Sequence, residues 1–262
     1  MNPLRFNSEL LTKPPTSGLN VETKLAHFAI VTYMVDPAAL RPHVDERFDL
    51  VTIVVDGNEK ALVSVVPFLD QDFHFVLCPW PKSRFGQTNY RAYVIDSKTG
   101  EHVAWFFGTS LASFSVVVPR FAWRLPWHRA RIRFDVQYDQ HRGRYEKYRM
   151  ETTSNWAPAQ LALDDSGIAP DKLMGFPDLE SGLVLLTHPL RGYYHRQDGR
   201  LGSYSTWHDR LQTTAGRATM ASFPLLQGLG LVDDGDLTAI HSVLIQPEAE
   251  FTIYLPPKVV RP

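Results

Sequence analysis

The segment from Ala130 to Tyr138 constrains the fold of this chain more than any other. Its apolar residues alternate strictly with polar ones, and successive side chains of an extended chain point to opposite faces. A strand collects such apolar residues on one face, whereas a helix would scatter them around its circumference. The pattern therefore predicts a half-buried strand, and the segment Tyr145–Thr152 predicts its hairpin partner. The alternating apolar residues are Ala130, Ile132, Phe134, Val136 and Tyr138.

Runs of β-branched and aromatic residues recur along the rest of the chain, separated by turns that contain glycine. Such runs are typical of strands, and a short turn between two of them is typical of an antiparallel hairpin. We predict two further hairpins, roughly ten strands and a mainly antiparallel α+β fold. Proline and glycine residues predict loops at 69–87 and 154–176. The strands of the two further hairpins are Phe48–Val55 with Lys60–Phe68, and Tyr90–Ile95 with His102–Phe107.

Short helices are predicted where capping residues precede apolar residues at helical spacing. Asp36 precedes Pro37, and Asp178 precedes a series of leucines. An aspartate can accept a hydrogen bond from the first turn of a helix, and proline is favoured at the first helical position. The apolar residues around Pro119 also fall at helical spacing, which predicts a short helix started or bent at this proline.

The composition is that of an ordinary globular protein, with 44% hydrophobic and 21% charged residues among 262. It excludes disorder as the dominant state. The net charge of −1 supplies no field that would attract nucleic acid or an anionic membrane. Because β-rich proteins of this length often form one domain, we expect an N-terminal arm at residues 1–21 and a single domain at residues 22–262.

Motifs for cofactor and metal chemistry are absent from the chain, including GxGxxG, GxxxxGK[ST], GxSxG, HExxH and CxxC. Cys78 is the only cysteine, which excludes an intramolecular disulfide. The first residues lack a secretory pattern, and no apolar run reaches the ~18 residues of a membrane span. We therefore expect a cytoplasmic protein with no cofactor, no metal ion, no nucleic-acid partner and no membrane partner.

Aromatic residues accompanied by arginines and histidines recur near the ends of the predicted strands. On the inner face of a curved sheet, such residues line an apolar cavity and supply the few polar groups that orient a ligand. Alternatively, the aromatic residues form the core and the arginines lie along its surface. The candidate ligand-binding residues are Arg91, Tyr93, Trp105, Trp127, Arg191, Tyr193 and His208, and the candidate catalytic residue is His128.

Eight short segments occur in a distinctive order: DPAALRPHV, VVPF, TNYRAYV, GEHVAWFFGTSL, LPWHRARI, LTHPLRGYY, GRLGSYSTWH and HSVLIQP. In order and spacing they resemble the family called domain of unknown function 2071, a branch of the acetoacetate decarboxylase-like superfamily. The resemblance covers about Glu22 to Leu255. It implies a single domain in which a curved, mainly antiparallel sheet forms a barrel-like or cone-like core around a pocket.

The segment Leu125–Ala130, which we call the LPWHRA corner, resembles the site of the paired lysines in acetoacetate decarboxylases. In those enzymes a lysine of lowered pKa forms a Schiff base with the substrate. By this resemblance Trp127 and His128 occupy the lysine positions. Independently of the resemblance, no lysine occurs between Lys98 and Lys147. The corner therefore cannot supply an imine-forming amine.

Three functional hypotheses follow. In the first, the pocket binds a small hydrophobic or carbonyl-bearing organic acid, with Arg91 or Arg191 as partner of its anionic group. In the second, His128 or His208 transfers protons to an enolisable substrate, because the unperturbed histidine pKa of about 6.5 lies near the working pH. In the third, the chain is a structural or interaction protein with a vestigial pocket. The first hypothesis needs the fewest assumptions, and an oligomer is compatible with all three.

Overall fold

The computed structural model describes residues 3–113 and 117–260, and most of these belong to one large curved sheet. Its strands are β1 (Val21–Val35), β2 (Phe48–Leu50), β3 (Thr52–Val55), β4 (Asn58–Phe75), β5 (Cys78–Asp96), β6 (His102–Leu111), β7 (Trp127–Arg129), β8 (Arg131–Asp139), β9 (Arg144–Thr153), β10 (Ala159–Asp165), β11 (Arg191–His195), β12 (Leu201–Trp207), β13 (Thr214–Ser222) and β14 (Ile240–Val259). The helices are α1 (Ser8–Leu11), α2 (Pro37–Leu40), α3 (Val117–Ala122), α4 (Leu179–Thr187) and α5 (Pro224–Gly228), with a 3₁₀ helix at Arg41–His43.

The sheet closes on itself through its first and last strands. Strand β1 pairs with β4 on one side and with β14 on the other, so the order β1-β4-β5-β6-β11-β12-β14 returns to β1. A branch continues from β14 through β13, β10 and β9 to β8. Among the described pairs, β6 runs parallel to β7 and β11, and the remaining pairs are antiparallel. The predicted α+β fold with a mainly antiparallel, barrel-like core is confirmed.

Side chains of the ring strands alternate between two apolar clusters. Val63 and Val65 of β4 belong to the first cluster, which also contains Met150 of the branch strand β9. Val66 belongs to the second cluster, which also contains Leu186 of α4. Because successive strand residues point to opposite faces, the branch covers one face of the ring and α4 packs against the other.

Several local predictions are confirmed. The hairpin of β8 and β9 has the expected alternation, with every second residue of β8 exposed. Asp36 caps α2 by accepting a hydrogen bond from the backbone N–H of Ala38, and Asp178 caps α4 through the N–H of Ser181. The helix predicted around Pro119 corresponds to α3, although residues 114–116 lie outside the described part of the chain.

The two predicted loops and the strand count are wrong. Residues 69–87 belong mostly to the long hairpin of β4 and β5, and the segment 154–176 contains β10. The described part of the chain holds 14 strands rather than roughly ten. Pro79 and Pro81 are accommodated because the hydrogen-bonded register of the hairpin is interrupted near its tip.

The described helices are short, and none is both long and apolar enough to cross a membrane.

Candidate functional site

A cavity lies within the ring, between β4, β5 and β6 on one side and β12 and β14 on the other, with the end of α4 in its wall. We call it the ring cavity. Its volume is about 80 Å³, which is more than a single water molecule occupies. Most of the wall is apolar, and its polar groups include Asp70, Gln87, Asn89, Arg91, Thr187 and His208.

Alternation along β4 and β5 selects the residues that reach the ring cavity. On β5, Gln87, Asn89 and Arg91 are two residues apart and therefore share one face. Their partners across the ladder are Phe68, Val66 and Ser64, in that order. The polar residues of β5 are thus held on a rigid pair of strands rather than on a loop.

Arg91 is buried in the cavity wall without an acidic partner. Its Nη2 donates to the carbonyl oxygen of Leu186 at 2.8 Å and lies 3.4 Å from the hydroxyl of Tyr93. Its Nε has no hydrogen-bond partner, and no carboxylate of the described residues lies within ion-pair distance of it. A buried guanidinium is costly when unpaired, so this side chain can gain a large stabilisation from an anionic ligand.

Asp70 also lies in the wall, and its side chain is only partly satisfied. Oδ1 accepts a hydrogen bond from the hydroxyl of Thr23 at 3.0 Å, whereas Oδ2 has no partner among the described residues. Burial raises the pKa of Asp70 to about 7, and the hydrogen bond from Thr23 opposes only part of this rise. Near neutral pH the carboxyl group can therefore donate or accept a hydrogen bond.

His208 closes the end of the cavity beneath α4. Its Nδ1 lies 2.8 Å from the carbonyl oxygen of Asp209, and its Nε2 lies 2.9 Å from that of Thr187. The ring stacks on Phe251 with centroids 4.2 Å apart. Burial lowers the pKa of His208 to about 4, although both backbone contacts act in the opposite direction. The neutral ring carries one N–H and donates to only one of these carbonyl oxygens. Both nitrogens face the backbone rather than the cavity, so His208 contributes shape to the wall.

Trp105 and Tyr193 lie on the opposite face of the ring from the cavity. The indole Nε1 of Trp105 donates to the carbonyl oxygen of His43, and the hydroxyl of Tyr193 donates to Asp96. Their neighbours Phe106 and Gly192 line the cavity instead. Since side chains alternate along a strand, a difference of one residue moves a side chain from one face to the other.

Tyr93 and Arg191 make contacts outside the cavity wall. The hydroxyl of Tyr93 bonds with Ser64 and with the carbonyl oxygen of Leu186. Arg191 is half-exposed and forms an ion pair with Glu101 at 2.9 Å. Tyr93 therefore supports the same helix end as Arg91, whereas Arg191 is already neutralised by an acidic partner.

The LPWHRA corner divides its two candidate residues between different surfaces. Trp127 lines the ring cavity, but the ring of His128 stacks on Trp156 at 4.0 Å in a separate open groove. Burial and, to a smaller extent, the positive charge of Arg120 lower the pKa of His128 to about 4. His128 is therefore neutral at pH 7 and is not part of the cavity wall.

The structure thus brings together three of the eight predicted site residues, namely Arg91, Trp127 and His208. Sequence reasoning missed Asp70, Gln87 and Asn89. The signal that could have identified Asp70 is the continued alternation Val66, Phe68, Asp70, which places an acid at an apolar position. Proline and glycine residues beyond it favoured a loop and hid this pattern.

Neither a lysine nor a metal-binding cluster is found in the site. None of the described residues that line the ring cavity is a lysine. The described residues also contain no group of three or more histidine, cysteine or acidic side chains arranged to hold a metal ion.

Gly192 permits the close approach of the Phe106 ring to β11. A Cβ atom at this position would lie 2.3 Å from Cε2 of Phe106. We expect Gly192→Ala to push the ring into the cavity and to lower the free energy of unfolding by about 1–3 kcal/mol. Urea denaturation measures this loss. Gly228→Ala is the control, since no atom lies within 4 Å of the added methyl group, and equal stability of both variants would contradict the prediction.

Solved structures with the same fold include several enzymes. An acetoacetate decarboxylase from Legionella pneumophila is 14% identical with a TM-score of 0.58, and the alignment covers 98% of each chain. An acetoacetate decarboxylase-like enzyme from Sphingomonas wittichii RW1 is 11% identical with a TM-score of 0.59 over 94% of each chain. The enduracididine biosynthesis enzyme MppR, in complex with pyruvate, is 12% identical with a TM-score of 0.54 over 99% of this chain and 98% of that one. At these identities the likeness shows the fold alone.

The family comparison agrees with the order of segments noted in the sequence. No curated protein matches the chain. The model of domain of unknown function 2071, described as an uncharacterized conserved protein, matches residues 22–249. The chain therefore belongs to this family, with an acetoacetate decarboxylase-like fold.

Proposed function

We propose that the ring cavity binds a small, largely apolar organic acid, with Arg91 as the partner of its carboxylate and without a lysine-derived imine. The observation that carries this proposal is the buried guanidinium of Arg91 in an otherwise mostly apolar wall, with no carboxylate in ion-pair contact among the described residues. Planar guanidinium groups match carboxylates in geometry and form strong charge-assisted hydrogen bonds with them.

The apolar part of the wall supports an organic rather than an inorganic anion. Phe28, Phe68, Phe106, Trp127 and Phe251 all contribute to it. Burying a hydrocarbon group against such a surface contributes about 25 cal/mol per Å² of apolar area. An inorganic anion would leave this surface without a partner.

The proposed ligand class also agrees with one of the structural neighbours. MppR shares the fold and was solved with pyruvate, a small keto acid. The ring cavity lacks a lining lysine in its described wall, so we propose binding and orientation of the acid rather than Schiff-base decarboxylation.

The two other hypotheses have less support. Both nitrogens of His208 face backbone carbonyl oxygens, and His128 lies outside the ring cavity, so neither is placed to exchange a proton with a bound acid. A vestigial pocket accounts for the hydrogen bond from Arg91 to the end of α4 but not for its Nε, which has no hydrogen-bond partner, nor for the lack of a carboxylate partner among the described residues.

Arg91→Leu is expected to weaken binding of the acid at least tenfold, because a hydrogen bond to a charged group contributes about 1.5–3 kcal/mol. Thermal shift and calorimetric titration with straight-chain carboxylic acids and 2-keto acids measure the effect. Arg217→Leu, at an arginine that is 80% exposed outside the cavity, is the matched control. Methyl esters of the same acids should not bind. Equal affinity of the Arg91→Leu variant and wild type would contradict the proposal.

A further inference from the structure

Asp70 differs from other buried aspartates of the chain in its hydrogen bonds. Asp96 accepts two bonds from Arg47 and others from Tyr193 and the backbone. Asp165 accepts bonds from two backbone N–H groups and from the hydroxyl of Thr214. Buried polar groups are usually satisfied in this way. Asp70 has one donor on one oxygen, and its second oxygen has no partner among the described residues.

The two incompletely satisfied charged groups line the same cavity. Asp70 is 1% exposed and Arg91 is 8% exposed, and each has a buried polar atom without a partner among the described residues. They do not satisfy each other, since no ion pair joins them. A single ligand with two polar groups would satisfy both.

The strand register sets the separation between the two groups. Arg91 pairs with Ser64, and Asp70 lies six residues farther along β4 in an uninterrupted register. At ~3.3 Å per residue this corresponds to about 20 Å between the two backbone positions along the strand.

The contacts of the two side chains do not shorten this span: Arg91 Nη2 lies 3.4 Å from the hydroxyl of Tyr93, two residues farther from Asp70. Asp70 accepts from Thr23, whose hydroxyl also donates to the carbonyl oxygen of Gln71, beyond Asp70 on β4. Only an elongated ligand can therefore reach both groups.

The wall between the two groups is largely apolar. Val66 and Phe68 of β4 lie between the ends, and Leu25, Phe28 and Phe251 line the same cavity from β1 and β14. A hydrocarbon chain fits this surface, whereas a ligand that is polar along its whole length would lose its hydration without replacement.

From the register and the contacts of Asp70 we infer that the ligand is an elongated acid with two polar ends, whose carboxylate binds Arg91 and whose distal hydrogen-bond donor, a hydroxyl or ammonium group, binds Asp70. This inference rests on the proposed function and adds the length and the second polar group of the ligand. Asp70 is then a specificity residue, because it distinguishes such acids from their unsubstituted counterparts.

The test compares acids in pairs that differ only at the distal end. Octanoate, dodecanoate and hexadecanoate are titrated by calorimetry against their ω-hydroxy and ω-amino derivatives at pH 8.5, above the pKa of about 7 that burial gives to Asp70. The proteins are wild type, Asp70→Leu and Asp70→Asn. Asparagine keeps the shape of the aspartate side chain, so wild type can still be compared with Asp70→Asn if Asp70→Leu does not fold.

In wild type, for at least one chain length, we expect the ω-hydroxy or the ω-amino acid to bind at least fivefold more tightly than the parent acid. In Asp70→Leu the order of affinities should reverse, so that the parent acid binds more tightly than its ω-hydroxy and ω-amino derivatives. The distal polar group then loses its hydration and gains no partner. In Asp70→Asn the preference for ω-substituted acids over the parent acids should shrink. The decrease should be largest for the ω-amino acids, because the variant lacks the negative charge that would bind the ammonium group.

The outcomes separate the inference from the proposed function. If parent acids bind in an Arg91-dependent way but no derivative binds better in wild type, or the preference is unchanged in both Asp70 variants, the inference is wrong and the proposed function stands. If no acid of any length stabilises or binds the wild-type protein, the proposed function fails and the inference fails with it.

Discussion

Asp70→Asn is expected to gain stability relative to wild type by about 4 kcal/mol as the pH is raised from 4 to 8. Burial raises the pKa of the Asp70 carboxyl from 3.8 to about 7 in the folded protein. Between these two values the folded state binds more protons than the unfolded state, so the free energy of unfolding of wild type falls as pH rises. The expected change of about 4 kcal/mol follows from this pKa shift, because each tenfold change in proton affinity corresponds to about 1.4 kcal/mol.

The direction of this dependence is opposite to that of the buried histidines. Burial lowers the pKa of His188 to about 3 and that of His208 to about 4. These two histidines lower the free energy of unfolding as the pH falls from about 6.5 toward their pKa values in the folded protein. In this range the unfolded state binds more protons than the folded state. Both histidines are present in wild type and in Asp70→Asn, so their contributions cancel in the difference.

Urea denaturation of both proteins at pH 4.5, 6, 7 and 8.5 measures this difference. The free energy of unfolding of Asp70→Asn minus that of wild type should increase from pH 4.5 to pH 8.5, with most of the increase below pH 7. A difference in hydrogen bonding between the side-chain amide of the Asp70→Asn variant and the protonated carboxyl of Asp70 adds the same amount at every pH and leaves this change unaffected. Parallel curves across the whole range would show that Asp70 does not hold its proton in the folded protein.

Arg47→Met is expected to lower the free energy of unfolding by about 3 kcal/mol at pH 7, because it leaves the buried carboxylate of Asp96 without its cation. Arg47 Nε and Nη2 donate to the two oxygens of Asp96 at 2.9 and 2.6 Å, and the Asp96 side chain is fully buried. Burial alone would raise the pKa of Asp96, but hydrogen bonds from Arg47, Lys98 N–H and Tyr193 outweigh it and lower the pKa.

Denaturation in urea at pH 7 and at acid pH measures the contribution of this pair. The stabilisation is present above the unfolded pKa of 3.8 and is lost as the pH falls through the lower folded value, so the defect of Arg47→Met should shrink in strong acid. Arg217→Met is the control, since its exposed pair with Asp164 should contribute less than about 1 kcal/mol. A double variant that combines Arg47→Met with Asp96→Asn should regain part of the lost free energy of unfolding, because it removes the buried carboxylate. Equal defects in the Arg47 and Arg217 variants would refute the prediction.

Much of the fold was predictable because it depends on local patterns. The alternation from Ala130 to Tyr138 identified β8, and the aspartate caps located α2 and α4. The tip of the β4 and β5 hairpin was not predictable from these patterns, since its prolines are typical of loops. Local patterns also could not show closure of the ring, because β1 and β14 are more than 200 residues apart in sequence. The barrel-like core was implied only by the resemblance to the family.

The sequence placed candidate residues on strands that border the ring cavity, but it could not show which face of each strand lines the cavity. The candidates Trp105 on β6 and Tyr193 on β11 point away from the cavity. Their neighbours Phe106 and Gly192 line it instead. Both faces of these strands are buried, so hydrophobic alternation cannot show which one encloses a cavity. Arg91 was a candidate because it accompanies an aromatic residue near the end of a predicted strand, and the structure places it in the cavity wall.

The sequence by itself determined that this chain has a mainly antiparallel α+β fold, because strand periodicity and turn residues are local properties. It also excluded imine chemistry at the LPWHRA corner, since no lysine lies between Lys98 and Lys147. Only the tertiary structure decided that Asp70 and Arg91 share one cavity, and that Trp127 enters it while His128 does not. The reason is physical: the register of β4 with β5 and the closure of the ring by β1 and β14 are long-range pairings, and they determine which side chains meet.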